Sequence, residues 1–260
     1  MRAKRKAFVG IDVAFAKGKP LPVCVYAAGP DGIFDLLPLK RTFDKPPVGQ
    51  GNAAALSPGL RRGFAARTSA WLRALETREN LSIHGIALDA PSDYCPPERT
   101  HRACEAAVAR DGIAVFFTPT KARFDVTIAE ARRHLADGGP LHRLPGAMRL
   151  WMLVGFDLFS ELEKEYPCLE TYPQAVVRRL GCAKHHKTTA RGLEAQLAKG
   201  AELLGTTAGD FLARLAASGY GSTHDKLDAF FAAWVASLEK RRESYGDSER
   251  DAIWVPRAMD

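Results

Sequence analysis

Five acidic residues occupy places where a carboxylate needs a reason. Asp12 lies inside Ala7-Phe8-Val9-Gly10-Ile11-Asp12-Val13-Ala14, a run apolar enough to read as a buried strand. An isolated carboxylate there costs several kcal/mol, so it must be paired, protonated or on a metal. Asp89 repeats the oddity at the end of Ser82-Ile83-His84-Gly85-Ile86-Ala87-Leu88-Asp89-Ala90-Pro91, where Pro91 is a natural stop. Glu170 sits in the short stretch Pro167 to Tyr172, and Asp225 and Asp228 open the segment Ser222 to Glu239. Clustered carboxylates suit two hard divalent cations, Mg2+ or Mn2+, held ~3.5–4 Å apart on oxygen ligands across a phosphoryl displacement. Water is then the nucleophile, with Asp12 bridging the metals, Asp89 and Glu170 in one shell, and Asp228 with Asp225 in the other.

The surrounding elements must bring these acids together. After the Asp12 strand, Lys17-Gly18-Lys19-Pro20 and Gly29-Pro30-Asp31-Gly32 read as turns, which gives strands over Leu21 to Ala27 and Ile33 to Phe43 and an antiparallel meander. Asp44 to Pro58 reads as a loop and Arg61 to Asn80 as a helix leading into the Asp89 strand. Helices are expected over Glu98 to Ala109, Ala122 to Ala136 and Ala147 to Glu165, forming a helical insertion of about residues 98–165. Ile113 to Phe117 is a short strand or an extended loop. Further helices follow over Gln174 to Leu180, Ala190 to Leu204 and Ala208 to Ala217, with a last edge strand over Ala252 to Pro256. Ser222 to Glu239 is the clearest helix, its Leu227, Phe230, Phe231, Trp234, Val235 and Leu238 keeping helical spacing. Asp228 falls at the margin of that stripe. Asp225 lies further toward solvent, where Ser222-Thr223-His224-Asp225 fits a capping box. Three antiparallel strands followed by strands alternating with helices is the order of a ribonuclease-H-like α/β sheet, here in one domain spanning the 260 residues.

At the same residues the sequence resembles a family. Gly10-Ile11-Asp12-Val13-Ala14, Ala87-Leu88-Asp89-Ala90-Pro91, Glu170-Thr171-Tyr172-Pro173 and His224-Asp225-Lys226-Leu227-Asp228-Ala229 are similar to the successive motifs of the DUF429 family, over about Phe8 to Pro256. The resemblance implies a ribonuclease-H-like nuclease with a carboxylate site, distantly similar to Holliday-junction resolvases of the RuvC type.

Composition narrows the alternatives. The net charge of +7 is compatible with nucleic acid, DNA and RNA alike, as partner. Arg99 and Arg102, just after the Asp89 strand, and Lys184 and Lys187 in the basic loop Lys184-His185-His186-Lys187 are the candidate phosphate contacts. Five widely spaced cysteines with no Cys-x-x-Cys pair argue against a disulfide framework or a zinc ribbon. No apolar run approaches the ~18 residues of a membrane helix, and Asp12 interrupts what would be a signal h-region, so the expected compartment is the cytoplasm. Two rivals keep the fold. One is an ATP-dependent kinase of the actin-like superfamily, which needs a glycine-rich phosphate turn that Asp12-Val13-Ala14-Phe15-Ala16-Lys17-Gly18 lacks. The other is a non-catalytic nucleic-acid-binding module. The oligomeric state stays open.

Overall fold

A computed structural model describes residues 3–248 and 251–257. In chain order its strands are β1 (Arg5–Asp12), β2 (Val23–Ala28), β3 (Phe34–Leu36), β4 (Leu81–Asp89), β5 (Cys168–Glu170), β6 (Arg242–Ser248) and β7 (Asp251–Pro256). Its helices are α1 (Leu39–Thr42), α2 (Asn52–Ala55), α3 (Pro58–Glu79), α4 (Ala103–Arg110), α5 (Lys121–Ala136), α6 (Leu150–Leu162), α7 (Pro173–Arg179), α8 (Ala190–Leu203), α9 (Ala208–Ser218) and α10 (Thr223–Ser237). The first five strands form one mixed sheet in the order β3-β2-β1-β4-β5. β2 pairs antiparallel with both β1 and β3, while β4 pairs parallel with β1 and β5 parallel with β4. This is the arrangement of a ribonuclease-H-like α/β fold.

The pleat of β1 divides the core. Ala7, Val9 and Ile11 join one buried cluster with α3 and α6; Phe8 joins the other with α7, α9 and α10. Gly10 belongs to the second face, and there α10 lies directly on the strand. A Cβ at Gly10 would stand 1.9 Å from the Ala229 carbonyl oxygen and 2.3 Å from the Ala233 nitrogen. Helix and strand therefore touch backbone to backbone. The small residues Ala229, Ala233 and Ala236 on α10 complete the fit, all of them buried.

Several elements differ from the sequence expectation. The third strand stops at Leu36 because Pro38 turns the chain into α1. The expected loop before α3 contains α2, and Pro58 is the first residue of α3 rather than the last of the loop. The helix expected from Glu98 begins only at Ala103. Its N-terminal amides are capped from far away, with Ala103 and Cys104 N–H donating to the Asp251 carboxylate at 2.8 and 3.4 Å. β7 is not an edge strand of the main sheet. It pairs with β6 in a separate hairpin, tied to the end of β5 by the Thr171 hydroxyl donating to the Trp254 carbonyl at 2.8 Å. Among the described residues, no helix is long and apolar enough to cross a membrane.

The Gly10 contact yields a paired prediction. Gly10→Ala should destabilise by about 3 kcal/mol or more, since the obstacles are backbone atoms of a buried helix. Gly85→Ala on the adjacent strand meets nothing closer than the Phe8 ring at 3.5 Å and should cost about 1 kcal/mol or less. Urea unfolding of both variants checks this; equal destabilisation would contradict it.

Candidate active site

Asp12 and Asp89 end adjacent parallel strands and stand opposite each other in register. Both follow the pleat to the face covered by α10: Asp12 is two residues from Gly10, and Asp89 two from the buried Ala87 of the same face. Asp228 precedes Ala229, the residue that rests on Gly10, so the same close approach carries its carboxylate to the strand ends. It is 5% exposed. Asp225 is occupied otherwise, accepting from the Ser222 amide at 2.8 Å while its own amide donates to the Ser222 hydroxyl at 3.3 Å.

The electrostatics register the crowding. Burial, then the charges of Asp89 and Asp228, hold the Asp12 carboxyl well above the usual carboxylate range. Burial and Asp228 do the same to Asp89. Burial also raises Asp228, against the pull of Lys187, whose ammonium pairs with its carboxylate. Lys187 comes from the loop between α7 and α8. That loop folds back on α8 where Gly192 has no side chain: a Cβ there would stand 2.1 Å from the His186 carbonyl oxygen. The Tyr172 hydroxyl is pushed up to about 12 by burial, Asp89 and Asp228.

Glu170 and the two arginines differ from the expectation. Glu170 is buried, and both its oxygens are taken by Arg102, at 2.9 and 2.7 Å, with the Ser92 amide donating to Oε2 at 2.8 Å. Arg102 is 2% exposed, with Glu105 at 3.8 Å and Asp251 at 3.4 Å as further partners, so it has no face to offer a substrate. The two fixed charges satisfy each other bidentately. Arg99 pairs with Asp247 and Asp251 on the hairpin. Lys184 is exposed, and Lys187 is the member of the basic loop that reaches the carboxylates.

Two recesses open beside the strand ends. One, of about 550 Å³, is walled by Phe15, Phe116, Trp151 and Tyr172 over Asp12 and Asp89. The other, of about 560 Å³, is lined by Arg178, His186 and Lys187 and shares Asp89, Val115, Phe116 and Tyr172 with the first. No local pattern in the sequence marks these aromatic walls. Phe15, Phe116 and Tyr172 lie in loops, where hydrophobic spacing is silent, and Trp151 lies in the segment Ala147 to Glu165, whose spacing marks a helix but not a recess.

Asp12, Asp89 and Asp228 offer oxygen donors only, and their mutual repulsion calls for positive charge, a chemistry that fits Mg2+ or Mn2+. As they stand, the described residues gather no three acidic, histidine or cysteine side chains closely enough to hold a metal. Lys187 supplies a cation beside Asp228, and Glu170 is bound to Arg102.

The Arg102 pair makes a stability prediction. Arg102→Leu should destabilise by about 3–5 kcal/mol, because Glu170 would stay buried without its counter-charge. Thermal and urea unfolding measure this. A folded, equally stable variant with lost nucleic-acid affinity would instead make Arg102 a ligand contact.

The family model described as "Protein of unknown function (DUF429)" matches residues 47–250, a span that includes Asp89, Glu170, Lys187, Asp225 and Asp228 and begins after Asp12. No curated protein and no solved structure matches the chain. The match covers more than half of the 260 residues, and the chain belongs to the DUF429 family.

Proposed function

We propose that the chain is a divalent-metal-dependent phosphodiesterase acting on nucleic acid, a nuclease of the ribonuclease-H-like type. The observation that carries this reading is the meeting of Asp12, Asp89 and Asp228 on one face of the sheet, at the carboxyl ends of parallel strands. Ligands of open α/β sheets bind outside those ends. Asp12, Asp89 and Asp228 would hold Mg2+ or Mn2+. The metal, when bound, supplies positive charge to the phosphoryl oxygens and lowers the pKa of an attacking water.

The chain's own residues do the rest. Arg178, His186 and Lys187 draw the phosphate backbone toward Asp89. Asp225 fixes the first turn of α10 through the capping box and so supports Asp228. Arg102 and Glu170 form a neutral buried pair, with Glu170 holding the Ser92 amide just beyond the Asp89 strand. The Lys187–Asp228 pair favours a second reading, a non-catalytic nucleic-acid-binding module, because it already neutralises one of the three acids.

The test is hydrolysis of labelled single strands, duplexes and branched DNA or RNA, with Mn2+ and with chelator. Asp12→Asn and Asp228→Asn should each lose about a thousandfold in rate, about 4 kcal/mol of barrier. Asp225→Asn should lose much less. Asp12→Asn should also melt higher than the parent without metal. The parent carboxyl has a folded pKa above its unfolded value of about 3.9, so its ionisation subtracts stability as pH rises through the folded pKa. The gain in Tm should therefore be present at neutral and higher pH and vanish toward about pH 4. A large loss of metal-free stability would make Asp12 a structural residue, and hydrolysis indifferent to chelator would contradict the metal reading.

A further inference from the structure

The two recesses share a wall, and that wall is held firmly. It is the extended segment 113–117 between α4 and α5. The Tyr172 hydroxyl donates to the Ala114 carbonyl at 2.6 Å, and Phe117 stacks on His101 with ring centroids 3.9 Å apart. The Thr118 amide donates to the buried Glu105 carboxylate at 3.0 Å. Between these anchors Phe116 is left 49% exposed, at the ridge where the recesses meet. An aromatic ring fixed in place with half its surface uncovered is a stacking platform.

The two sides of the ridge differ in chemistry. The aromatic side, about 550 Å³, has the size of a small-molecule site and flat walls from Phe15, Trp151 and Tyr172. The other side presents Arg178, His186 and Lys187, which suit a phosphate. Asp89 lies at the boundary, with Asp12 on the floor of the aromatic side. In a nucleotide a flat base and an anionic phosphate are joined through a single sugar. A base within a duplex is covered on both faces by its neighbours and reaches such a recess only when unstacked.

Resting on the nuclease reading above, we infer that the double recess seats an unpaired nucleotide of a nucleic-acid strand, its base against Phe116 and Trp151 and its phosphate against Arg178, His186 and Lys187. The substrate class is then single-stranded or locally unpaired nucleic acid rather than continuous duplex.

The experiment is fluorescence anisotropy in chelator at low salt. The full-length chain and its Phe116→Ala and Trp151→Ala variants are titrated against a labelled 12-nucleotide single strand and against the blunt duplex of the same sequence. Circular dichroism confirms each fold. Phe116 is exposed enough for its variant to fold even if Trp151→Ala does not. The expected result is at least tenfold tighter binding of the single strand, and a loss of about tenfold on that strand in each folded variant with the duplex unchanged. Equal binding of strand and duplex, or a Phe116→Ala variant that binds the strand like the parent, overturns the inference and leaves the nuclease reading standing. No binding of either probe overturns both. Free adenosine monophosphate competing as well as the strand also overturns it, in favour of a mononucleotide site.

Discussion

The approach of Asp228 to Asp12 depends on α10 lying against β1 with no side chain between them. At Gly10 the two backbones are in direct contact, and any Cβ would collide with the carbonyl of Ala229. Asp228 is the neighbour of Ala229, and Asp12 is two residues beyond Gly10 on the same face. A larger residue at Gly10 would lift the helix and separate the carboxylates before it touched either of them. Packing and electrostatics are therefore coupled at one position: the contact that closes the core also brings the Asp228 carboxylate within electrostatic reach of Asp12 and Asp89.

That crowding has to be balanced, and the molecule does so in two ways. In the interior, Arg102 and Glu170 satisfy each other bidentately and are lost to solvent. Such a pair supports geometry rather than chemistry, because removing either partner strands the other. At the strand ends the balance is partial. Lys187 meets Asp228, while Asp12 and Asp89 keep carboxyls that hold their protons well above the ordinary range, through burial first and then through the charge of Asp89 on Asp12 and of Asp228 on Asp89. The first arrangement is closed; the second can still take up positive charge.

Much of this placement was legible in the sequence because it followed from local rules. An acid inside a β-branched run and an acid before Ala-Pro at a strand end announce themselves, and Asp12 and Asp89 do end neighbouring strands. The capping-box pattern separated Asp225 from Asp228, and the structure has the capping box and the buried acid where the spacing put them. What was not legible depends on distant partners. Glu170 and Arg102 lie 68 positions apart, and nothing local says that they neutralise each other. Asp251 caps a helix that begins almost 150 residues earlier, at Ala103, which is why the start of α4 was misplaced. The aromatic recess takes Phe15, Phe116 and Tyr172 from loops, where no periodicity exists to be read, and Trp151 from a helix.

The central claim is that Asp12, Asp89 and Asp228 form one cation site. Crystals of the full chain soaked in manganese, measured at a wavelength where manganese scatters anomalously, test it most directly. The account predicts at least one strong anomalous peak bounded by these three carboxylates, and its loss in Asp228→Asn. A map with no peak there, or with manganese bound elsewhere and Lys187 still seated on Asp228, would contradict it.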